Sequence, residues 1–228
     1  MKAMILSAGY GKRLLPLTKN CPKPLLKIGK ETLLSNTIKF LIQFGVKQVI
    51  INVHYLSEQI VDYINKNKFN ISITVVKEQE KILDTGGGIL NAIKHFNEPF
   101  LVINPDTIWN FNHIKDIKLL EKNFFKNKQK CSLLLVNKLK SIENNFKGDF
   151  NLKNNLVDRK DKDNLNYIYT GLQIIRPEVF SEIRETVFSI NKVWDKLISK
   201  NELYGEKSNT DFLHVSNIDF YKSLLEKN

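Results

Sequence analysis

Residues 3–13 read Ala3-Met4-Ile5-Leu6-Ser7-Ala8-Gly9-Tyr10-Gly11-Lys12-Arg13. The apolar run from Ala3 to Leu6 predicts a short buried strand. The two glycines that follow open a loop in which backbone N–H groups can approach an oxyanion, because no Cβ stands in the way. Lys12 and Arg13, with Lys23 a little further on, supply positive charge for phosphate oxygens. The pattern therefore predicts a phosphate-binding loop at the end of the first strand.

Two other kinds of phosphate loop do not fit this stretch. A dinucleotide-binding fingerprint needs a third glycine where Leu14 stands, and a P-loop needs Gly, Lys and Ser/Thr at a spacing that is absent here. The alternative without any ligand is a glycine-rich turn whose lysines are simply solvated.

The stretch from Leu6 to Thr18 has the pattern L-x-A-G-x-G-x-R-x-x-P-L-T, and Pro22-Lys23-Pro24-Leu25 follows it. This spacing resembles the signature of the sugar-1-phosphate nucleotidyltransferases. The resemblance implies an α/β, Rossmann-like three-layer nucleotide-diphospho-sugar transferase fold with a mixed, mostly parallel central sheet. It also implies that the nucleoside triphosphate is bound by Ala8, Gly9, Gly11, Lys12, Arg13 and Lys23.

Composition limits the other functions that the chain could have. The formal net charge is +11, but Lys and Asn are scattered and no block of five like charges occurs, so nucleic acid is not the expected partner. Two cysteines, Cys21 and Cys131, form neither a disulfide framework nor a metal-ligand spacing, which indicates a reduced, cytoplasmic protein. We expect no membrane association, because no signal peptide is visible and no apolar stretch approaches the ~18 residues that a membrane span needs.

The chain after the loop alternates between helix and strand patterns. Thr32 is expected to cap a helix that Gly45 ends, and residues 49–53 read as a buried strand. Ser57 is expected to cap a second helix, and the alternation over residues 71–75 predicts a third strand. This order predicts a mostly parallel sheet with helices on both faces, whose ligands bind beyond the carboxyl ends of the strands.

The segment Leu83-Asp84-Thr85-Gly86-Gly87-Gly88 leads into a helix that runs to Ile93. Three glycines at a helix start expose backbone groups to a flat ligand. In the family that the chain resembles, this segment holds the nucleobase, and the resemblance assigns that role to the backbone of Leu83 and Gly87. The alternative is a flexible loop with a helix cap at Asp84 or Thr85.

The strand predicted over residues 100–103 ends in Asn104-Pro105-Asp106. A carboxylate at a carboxyl strand end, opposite the first loop, is suited to hold a divalent metal ion on phosphates. The family has Asn-Gly-Asp or Gly-Asp here, so the resemblance makes Asp106 a metal ligand and Asn104 a sugar contact. Pro105 replaces the family glycine and pushes Asn104 toward extended geometry. The alternative for Asp106 is a turn residue at the strand end.

The second half of the chain is less sharply patterned. Residues 113–125 predict a surface helix, and residues 131–136 predict a strand. A loop is expected over residues 137–145 and a polar hairpin over residues 151–166. Further strand and helix predictions cover residues 167–174 and residues 217–225.

Gly148-Asp149-Phe150 resembles a motif of one branch of the family, the N-acetylmuramate-1-phosphate uridylyltransferases. That branch has an Asp where Asn137 stands, and the resemblance makes Asn137 a sugar contact. The glycine inside the strand 167–174 often marks close approach of a ligand. The family has a similar Thr/Ser-Gly beside the sugar, which assigns a sugar contact to Thr170 and Gly171. A β-bulge without a ligand is the alternative.

His214 stands where the family carries its second metal-binding Asp. An imidazole can bind a divalent ion but suits softer ions than Mg²⁺, so the cofactor expectation is Mg²⁺, with Mn²⁺ possible. Asp211 cannot replace that Asp, since a shift of three residues along a strand reverses the face. His214 is therefore a metal ligand, a phosphate contact or a structural residue.

The resemblance implies one nucleotidyltransferase domain over residues 1–228, with a nucleotide-binding half (1–110) and a sugar-binding half (111–228), and without a C-terminal β-helix domain. In the implied reaction a sugar 1-phosphate attacks the α-phosphorus of an NTP and pyrophosphate leaves. Arg13 is expected to stabilise the pyrophosphate, and Lys23 to bridge the two reacting phosphates. UTP with N-acetylmuramate 1-phosphate is favoured. The alternatives are GTP with mannose 1-phosphate, or a nucleotide-sugar-binding homologue with weakened catalysis.

Overall fold

The computed structural model describes residues 1–143, 147–161 and 163–226. The loop predicted over residues 137–145 and the hairpin predicted over residues 151–166 therefore lie partly outside the described residues, at 144, 145 and 162. The described strands are β1 (Ala3–Leu6), β2 (Lys27–Ile28), β3 (Glu31–Thr32), β4 (Gln48–Val53), β5 (Ser72–Lys77), β6 (Phe100–Ile103), β7 (Cys131–Asn137), β8 (Asn151–Lys153), β9 (Leu156–Asp158), β10 (Tyr167–Ile175) and β11 (Leu203–Ser208). The described α-helices are α1 (Leu33–Phe44), α2 (Ser57–Lys66), α3 (Asp84–Ala92), α4 (Phe111–Lys126), α5 (Asn191–Ser199) and α6 (Ile218–Glu226).

Within the described residues, nine strands form one sheet in the order β5-β4-β1-β6-β10-β7-β11-β9-β8. Strands β5, β4, β1 and β6 are parallel to one another, and β10 inserts antiparallel between β6 and β7. Strand β11 runs parallel to β7. The predicted mixed, mostly parallel sheet is confirmed. The parallel strands bring their carboxyl ends, and the loops that follow, to one edge of the sheet.

Helices cover both faces of this sheet, as the alternation of elements predicted. Side chains of β1 show the division, because Ala3 and Ile5 pack with helices α1, α2 and α4 on one face. Met4 points to the opposite face, where it packs with α3 and α5. Helix α6 packs through Tyr221 and Leu224 against residues that flank the N-terminal loop. No helix in residues 1–143, 147–161 and 163–226 combines the length and apolar character needed to cross a bilayer.

The helix boundaries test the local predictions. Thr32 caps α1, since its Oγ1 accepts from the Ser35 N–H at 3.0 Å, and Gly45 ends the helix at a φ of 101°. Both predictions are confirmed. The prediction that Ser57 caps α2 is wrong. The cap position belongs to Leu56, whose φ of 48° is left-handed, so Ser57 becomes the first residue of the helix.

Residues 176–210 carry two elements that the sequence patterns did not predict. Helix α5 places Trp194 edge-on to Phe150 in the core, with ring centroids 5.7 Å apart. Strand β11 reads Leu-Tyr-Gly-Glu-Lys-Ser and pairs with β7 along its whole length. A strand of this composition shows little apolar alternation, because its place in the sheet comes from pairing rather than from its own pattern.

Candidate active site

A cavity of about 380 Å³ opens at the carboxyl ends of β1, β4 and β6. Its walls are formed by the N-terminal loop, the segment before α3 and the turn after β6. The residues that line it include Ser7, Ala8, Gly9, Gly11, Lys12, Arg13, Lys23, Asn52, Ile82, Asp84, Thr85, Asn104, Pro105 and Asp106. The predicted phosphate loop and the predicted metal ligand therefore meet in one space.

The N-terminal loop has the geometry that its glycines require. Gly11 has a φ of 64°, and a Cβ built there would lie 2.9 Å from Thr18 Cγ2, so a side chain would be both strained and crowded. The Thr18 hydroxyl donates to the Gly11 carbonyl at 3.0 Å, which fixes the turn. Lys12 and Arg13 follow in a short 3-10 helix, with both side chains exposed. The loop thus presents two cations at the cavity.

Lys23, Asp106 and His214 form a charged cluster on the β6 side of the cavity. Lys23 Nζ lies 2.5 Å from Asp106 Oδ2, and His214 Nε2 lies 3.1 Å from the same oxygen. The backbone brings these residues together, because His214 forms a bridge with Thr107 and the Val215 N–H donates to the Asp106 carbonyl at 2.8 Å. The side chains of Lys23 and Asp106 are only 15% and 17% exposed.

Asp106 is ionised over the whole ordinary pH range. Burial opposes its ionisation, but the charges of Lys23 and His214 and the hydrogen bonds from both side chains hold its pKa far below the usual range. Its second oxygen, Oδ1, is buried and has no hydrogen-bond partner among the described residues. This carboxylate therefore keeps one oxygen available for a further positive ligand. In the part of the chain that the structure describes, no three His, Cys, Asp or Glu side chains form a metal-binding group.

Asn104 lies in the cavity wall, and its backbone is fixed by β10. Its N–H donates to the Gly171 carbonyl at 2.8 Å, and a Cβ at Gly171 would lie 2.9 Å from the Asn104 Cβ. The Thr170 hydroxyl is buried and donates to the Leu134 carbonyl at 2.9 Å, while Thr107 donates to the Thr170 carbonyl. Gly171 thus holds the backbone of Asn104 in place, and the Thr170 hydroxyl already donates a hydrogen bond to the protein.

Asn137 lies at the end of β7, outside the residues that line this cavity. Its Oδ1 accepts from the Leu139 N–H at 3.0 Å and caps a short 3-10 helix. In the same half of the chain, Asp149 accepts from the Tyr169 N–H at 2.8 Å. Burial raises the pKa of Asp149, although that hydrogen bond and the charges of Arg159 and His214 act in the opposite direction.

The segment predicted to hold the nucleobase, residues 83–88, forms backbone hydrogen bonds with Phe188, which comes much later in the chain. The N–H groups of Gly86 and Gly87 both donate to the Phe188 carbonyl at 3.0 Å, and the Phe188 N–H donates to the Leu83 carbonyl at 3.2 Å. A Cβ at Gly87 would lie 2.2 Å from the Thr186 carbonyl oxygen. The cavity is lined by Ile82, Asp84 and Thr85 instead, so the structure does not bring Leu83 and Gly87 into it.

A buried polar network, which the sequence reasoning missed, shapes the β4 side of the cavity. Asn52 Oδ1 accepts from the Ser7 N–H at 3.0 Å, and Asn52 Nδ2 donates to Glu78 Oε1 at 2.7 Å. Glu78 Oε2 in turn accepts from the Leu83 N–H at 2.8 Å. A Cβ at Gly88 would lie 2.7 Å from both Asn52 Nδ2 and Glu78 Oε1. The available signal was Asn52, a polar residue that interrupts the apolar run over residues 49–53 of β4.

A glycine turn and a lysine–carboxylate pair that share one cavity at the carboxyl edge of a mixed sheet are typical of a nucleotide-binding α/β protein. The nucleotidyl transferase family model matches residues 2–145, and the chain belongs to this family. The predicted family is thereby confirmed, and the chain is an enzyme of the sugar-1-phosphate nucleotidyltransferase class.

Named relatives cover nearly the whole chain. It is 30% identical over 222 residues to an N-acetylmuramate alpha-1-phosphate uridylyltransferase of Neisseria meningitidis serogroup B, covering 96% of this chain and 94% of the relative. It is 31% identical over 218 residues to the mannose-1-phosphate guanyltransferase of Saccharomyces cerevisiae, covering 90% of this chain and 58% of the relative. The crystal structure of HddC from Yersinia pseudotuberculosis complexed with GMP-PN has a TM-score of 0.78 at 22% identity, covering 99% and 98% of the two chains. The predicted nucleotide-diphospho-sugar transferase fold is confirmed.

Proposed function

We propose that this enzyme transfers a nucleoside monophosphate from an NTP to a sugar 1-phosphate and releases pyrophosphate. The observation that carries the proposal is that the glycine loop with Lys12 and Arg13 shares one cavity with Lys23 and Asp106, while His214 contacts Asp106 from outside the residues that line the cavity. This arrangement offers cations on two sides of a bound triphosphate. Positioning and charge stabilisation are what an in-line phosphoryl displacement requires from a protein.

Each cation has a separate part in the proposed step. An oxygen of the sugar phosphate forms a bond to the α-phosphorus, and the bond from that phosphorus to the β-phosphate bridging oxygen breaks. Arg13 is exposed at the cavity and can stabilise the charge that builds up on the leaving pyrophosphate. Lys23 offsets the repulsion between the attacking phosphate and the α-phosphate, and to do so its ammonium group must exchange Asp106 for phosphate oxygens.

A divalent metal ion fits the donors present at Asp106. Mg²⁺ is commonly held by one or two carboxylates together with substrate phosphates, and Asp106 offers a buried oxygen, Oδ1, without a hydrogen-bond partner among the described residues. The bound ion would supply positive charge to the phosphates. His214, at 3.1 Å from Asp106 Oδ2, offers an imidazole that suits Mn²⁺ better than Mg²⁺. We propose Mg²⁺ as the usual ion, with Mn²⁺ able to replace it.

UTP and N-acetylmuramate 1-phosphate are the proposed substrates. The Neisseria uridylyltransferase matches this chain over nearly the full length of both proteins, and Gly148-Asp149-Phe150 resembles the motif of that branch. GTP and mannose 1-phosphate are the second candidates, because the yeast guanyltransferase is equally similar over its matched part. Asn104, supported by Gly171, is the proposed sugar contact. Leu83 and Gly87 remain proposed nucleotide contacts, and Asn137, Thr170 and Gly171 remain proposed sugar contacts; Leu83, Gly87, Asn137 and Thr170 each form hydrogen bonds within the protein in this structure. Unpaired Cys21 and Cys131 support a cytoplasmic location.

The test is a coupled pyrophosphate-release assay over four NTPs and a panel of sugar 1-phosphates, with Mg²⁺ or Mn²⁺. The panel contains N-acetylmuramate, N-acetylglucosamine, mannose and glucose 1-phosphates. Turnover with one NTP–sugar pair that is lost in Asp106→Asn supports the proposal. Binding of an NTP without turnover on any sugar, under both ions, would instead favour a regulatory nucleotide-sugar-binding protein. The substitution Glu31→Gln, in an exposed ion pair outside the cavity lining, serves as the control.

A further inference from the structure

The Ser7 hydroxyl is a feature of the cavity that the roles above leave unused. Ser7 directly follows β1, lines the cavity and is 2% exposed. Its Oγ has no hydrogen-bond partner among the described residues, although its N–H donates to Asn52 Oδ1 at 3.0 Å. A buried hydroxyl left unpartnered carries a desolvation penalty, and such groups in native proteins call for an explanation. A ligand in the cavity would provide the missing partner.

Asn52, Glu78 and Thr85, which lie in or next to the cavity wall, already form hydrogen bonds within the protein. The Asn52 amide accepts from the Ser7 N–H and donates to Glu78. Both carboxylate oxygens of Glu78 accept hydrogen bonds, the second from the Leu83 N–H. Thr85 Oγ1 accepts from the Ile190 N–H at 2.9 Å. The Ser7 hydroxyl can therefore form a hydrogen bond with a ligand, whereas these three side chains already bond to other protein groups.

The charges around the cavity indicate which part of a nucleotide would reach Ser7. Strands β4 and β6 flank β1, so Asn52 and Asp106 lie on opposite sides of Ser7. Lys23 is paired with Asp106 on the β6 side. On the β4 side the cavity lining contains the neutral Asn52 and the acidic Asp84, and the cation Lys12 lies over the Tyr10 ring, which packs against Tyr55 just after β4. Because Lys23 and the proposed metal ligand Asp106 lie on the β6 side, we expect the reacting phosphates there and the uncharged nucleoside beside Asn52.

We propose that the Ser7 hydroxyl is a specificity residue that forms a hydrogen bond with the nucleoside part of the NTP, through its base or its ribose. The inference deepens the proposed function and rests on it in taking an NTP as the ligand. The hydroxyl has no partner until the nucleotide binds. Its removal should therefore not lower the stability of the free protein but should weaken nucleotide binding. A serine with a purely structural role would not show this combination.

The experiment compares Ser7→Ala with Ser208→Ala. Ser208 is also fully buried, but its hydroxyl donates to Asp116 Oδ2 at 2.6 Å, and it does not line the cavity. We expect Ser7→Ala to keep or raise the urea midpoint of the free protein and to weaken UTP binding, by calorimetry, about 3- to 10-fold, the range of one hydrogen bond. Ser208→Ala should lower the urea midpoint and leave the dissociation constant for UTP unchanged.

Inorganic tripolyphosphate and 2′-deoxy-UTP complete the experiment. Tripolyphosphate lacks a nucleoside, so Ser7→Ala should bind it as tightly as the wild type does. The loss of binding free energy is measured for Ser7→Ala with UTP, for wild type with 2′-deoxy-UTP, and for Ser7→Ala with 2′-deoxy-UTP. If the combined loss differs from the sum of the two single losses, Ser7 contacts the ribose, and if it equals the sum, Ser7 contacts the base. Equal UTP affinity in Ser7→Ala and wild type, or equal weakening of UTP and tripolyphosphate, overturns the inference. Wild-type protein that binds UTP but releases no pyrophosphate would refute the proposed function while the Ser7 comparison remains decisive.

Discussion

Replacing Lys23 by methionine should destabilise the free protein and nearly abolish turnover. The substitution keeps the length and apolar stem of the side chain but removes the charge that lies 2.5 Å from Asp106 Oδ2. Breaking a fully buried ion pair from one side costs about 3–5 kcal/mol. Here both side chains keep some exposure, and His214 contacts the same oxygen, so we expect a loss of about 1–3 kcal/mol in the free energy of unfolding at pH 7.

The pH dependence of this loss follows from the pKa of Asp106. The folded-state pKa lies below the ordinary value of 3.8, so the carboxylate contributes stability that is fully present above about pH 4 and is lost as the pH falls toward the folded-state pKa. Lys23 is the larger of the two neighbouring charges that lower this pKa. The stability gap between wild type and Lys23→Met should therefore be widest above about pH 5 and narrow on acidification.

Urea titrations at several pH values between 3 and 7 measure this gap. Lys39→Met is the matched control, because Lys39 also pairs with a carboxylate, Glu31, at 2.6 Å, but both side chains are largely exposed. The control should lose less than about 1 kcal/mol. Pyrophosphate release by Lys23→Met should fall about 10²- to 10³-fold, as for other preorganised charge contacts. A stability loss at pH 7 no larger than that of Lys39→Met, or a gap that widens on acidification, would refute the reasoning.

Three further predictions concern single residues. Arg13→Ala should leave the urea midpoint unchanged, because the side chain is exposed, and reduce pyrophosphate release about 10²- to 10³-fold; near-normal turnover would contradict its role. Gly88→Ala should lower the free energy of unfolding by about 1–3 kcal/mol in urea titrations, because its Cβ would crowd two buried polar atoms. The control is Asn91→Ala, on the exposed side of the same helix, which should change the free energy of unfolding by less than about 0.5 kcal/mol. Burial raises the pKa of the Cys131 thiol, so a thiol reagent at neutral pH should modify Cys21 first and Cys131 only in denaturant, as peptide mass spectrometry would show.

The sequence predicted those structural features that depend on residues close together along the chain. The cap at Thr32 and the stop at Gly45 are local, and both were predictable. The cap of α2 was not, because Leu56 adopts a left-handed conformation that Leu rarely takes and that leaves Ser57 inside the helix. Strand β11 was missed because pairing with β7, and not its own polar sequence, makes it a strand.

The candidate site divides in a similar way. The glycine loop and Asp106 could be recognised from their motifs, whereas the ion pair between Lys23 and Asp106 joins positions 83 residues apart. The position of His214 beside Asp106 depends on its bridge with Thr107, which no local pattern encodes. The unpartnered hydroxyl of Ser7 depends on the burial of its whole environment and is visible only in three dimensions.

The hydrogen bonds between Phe188 and the glycine turn before α3 have a consequence for engineering the enzyme. The turn lies near position 86, but its shape is fixed by backbone groups about a hundred residues later in the chain. If the turn alone were replaced by that of a relative, the new turn would have to form its hydrogen bonds with the native Phe188 segment, whose backbone fits the native turn. A chimaera that exchanges this turn should therefore carry both segments, 82–88 and 186–190, from the same donor.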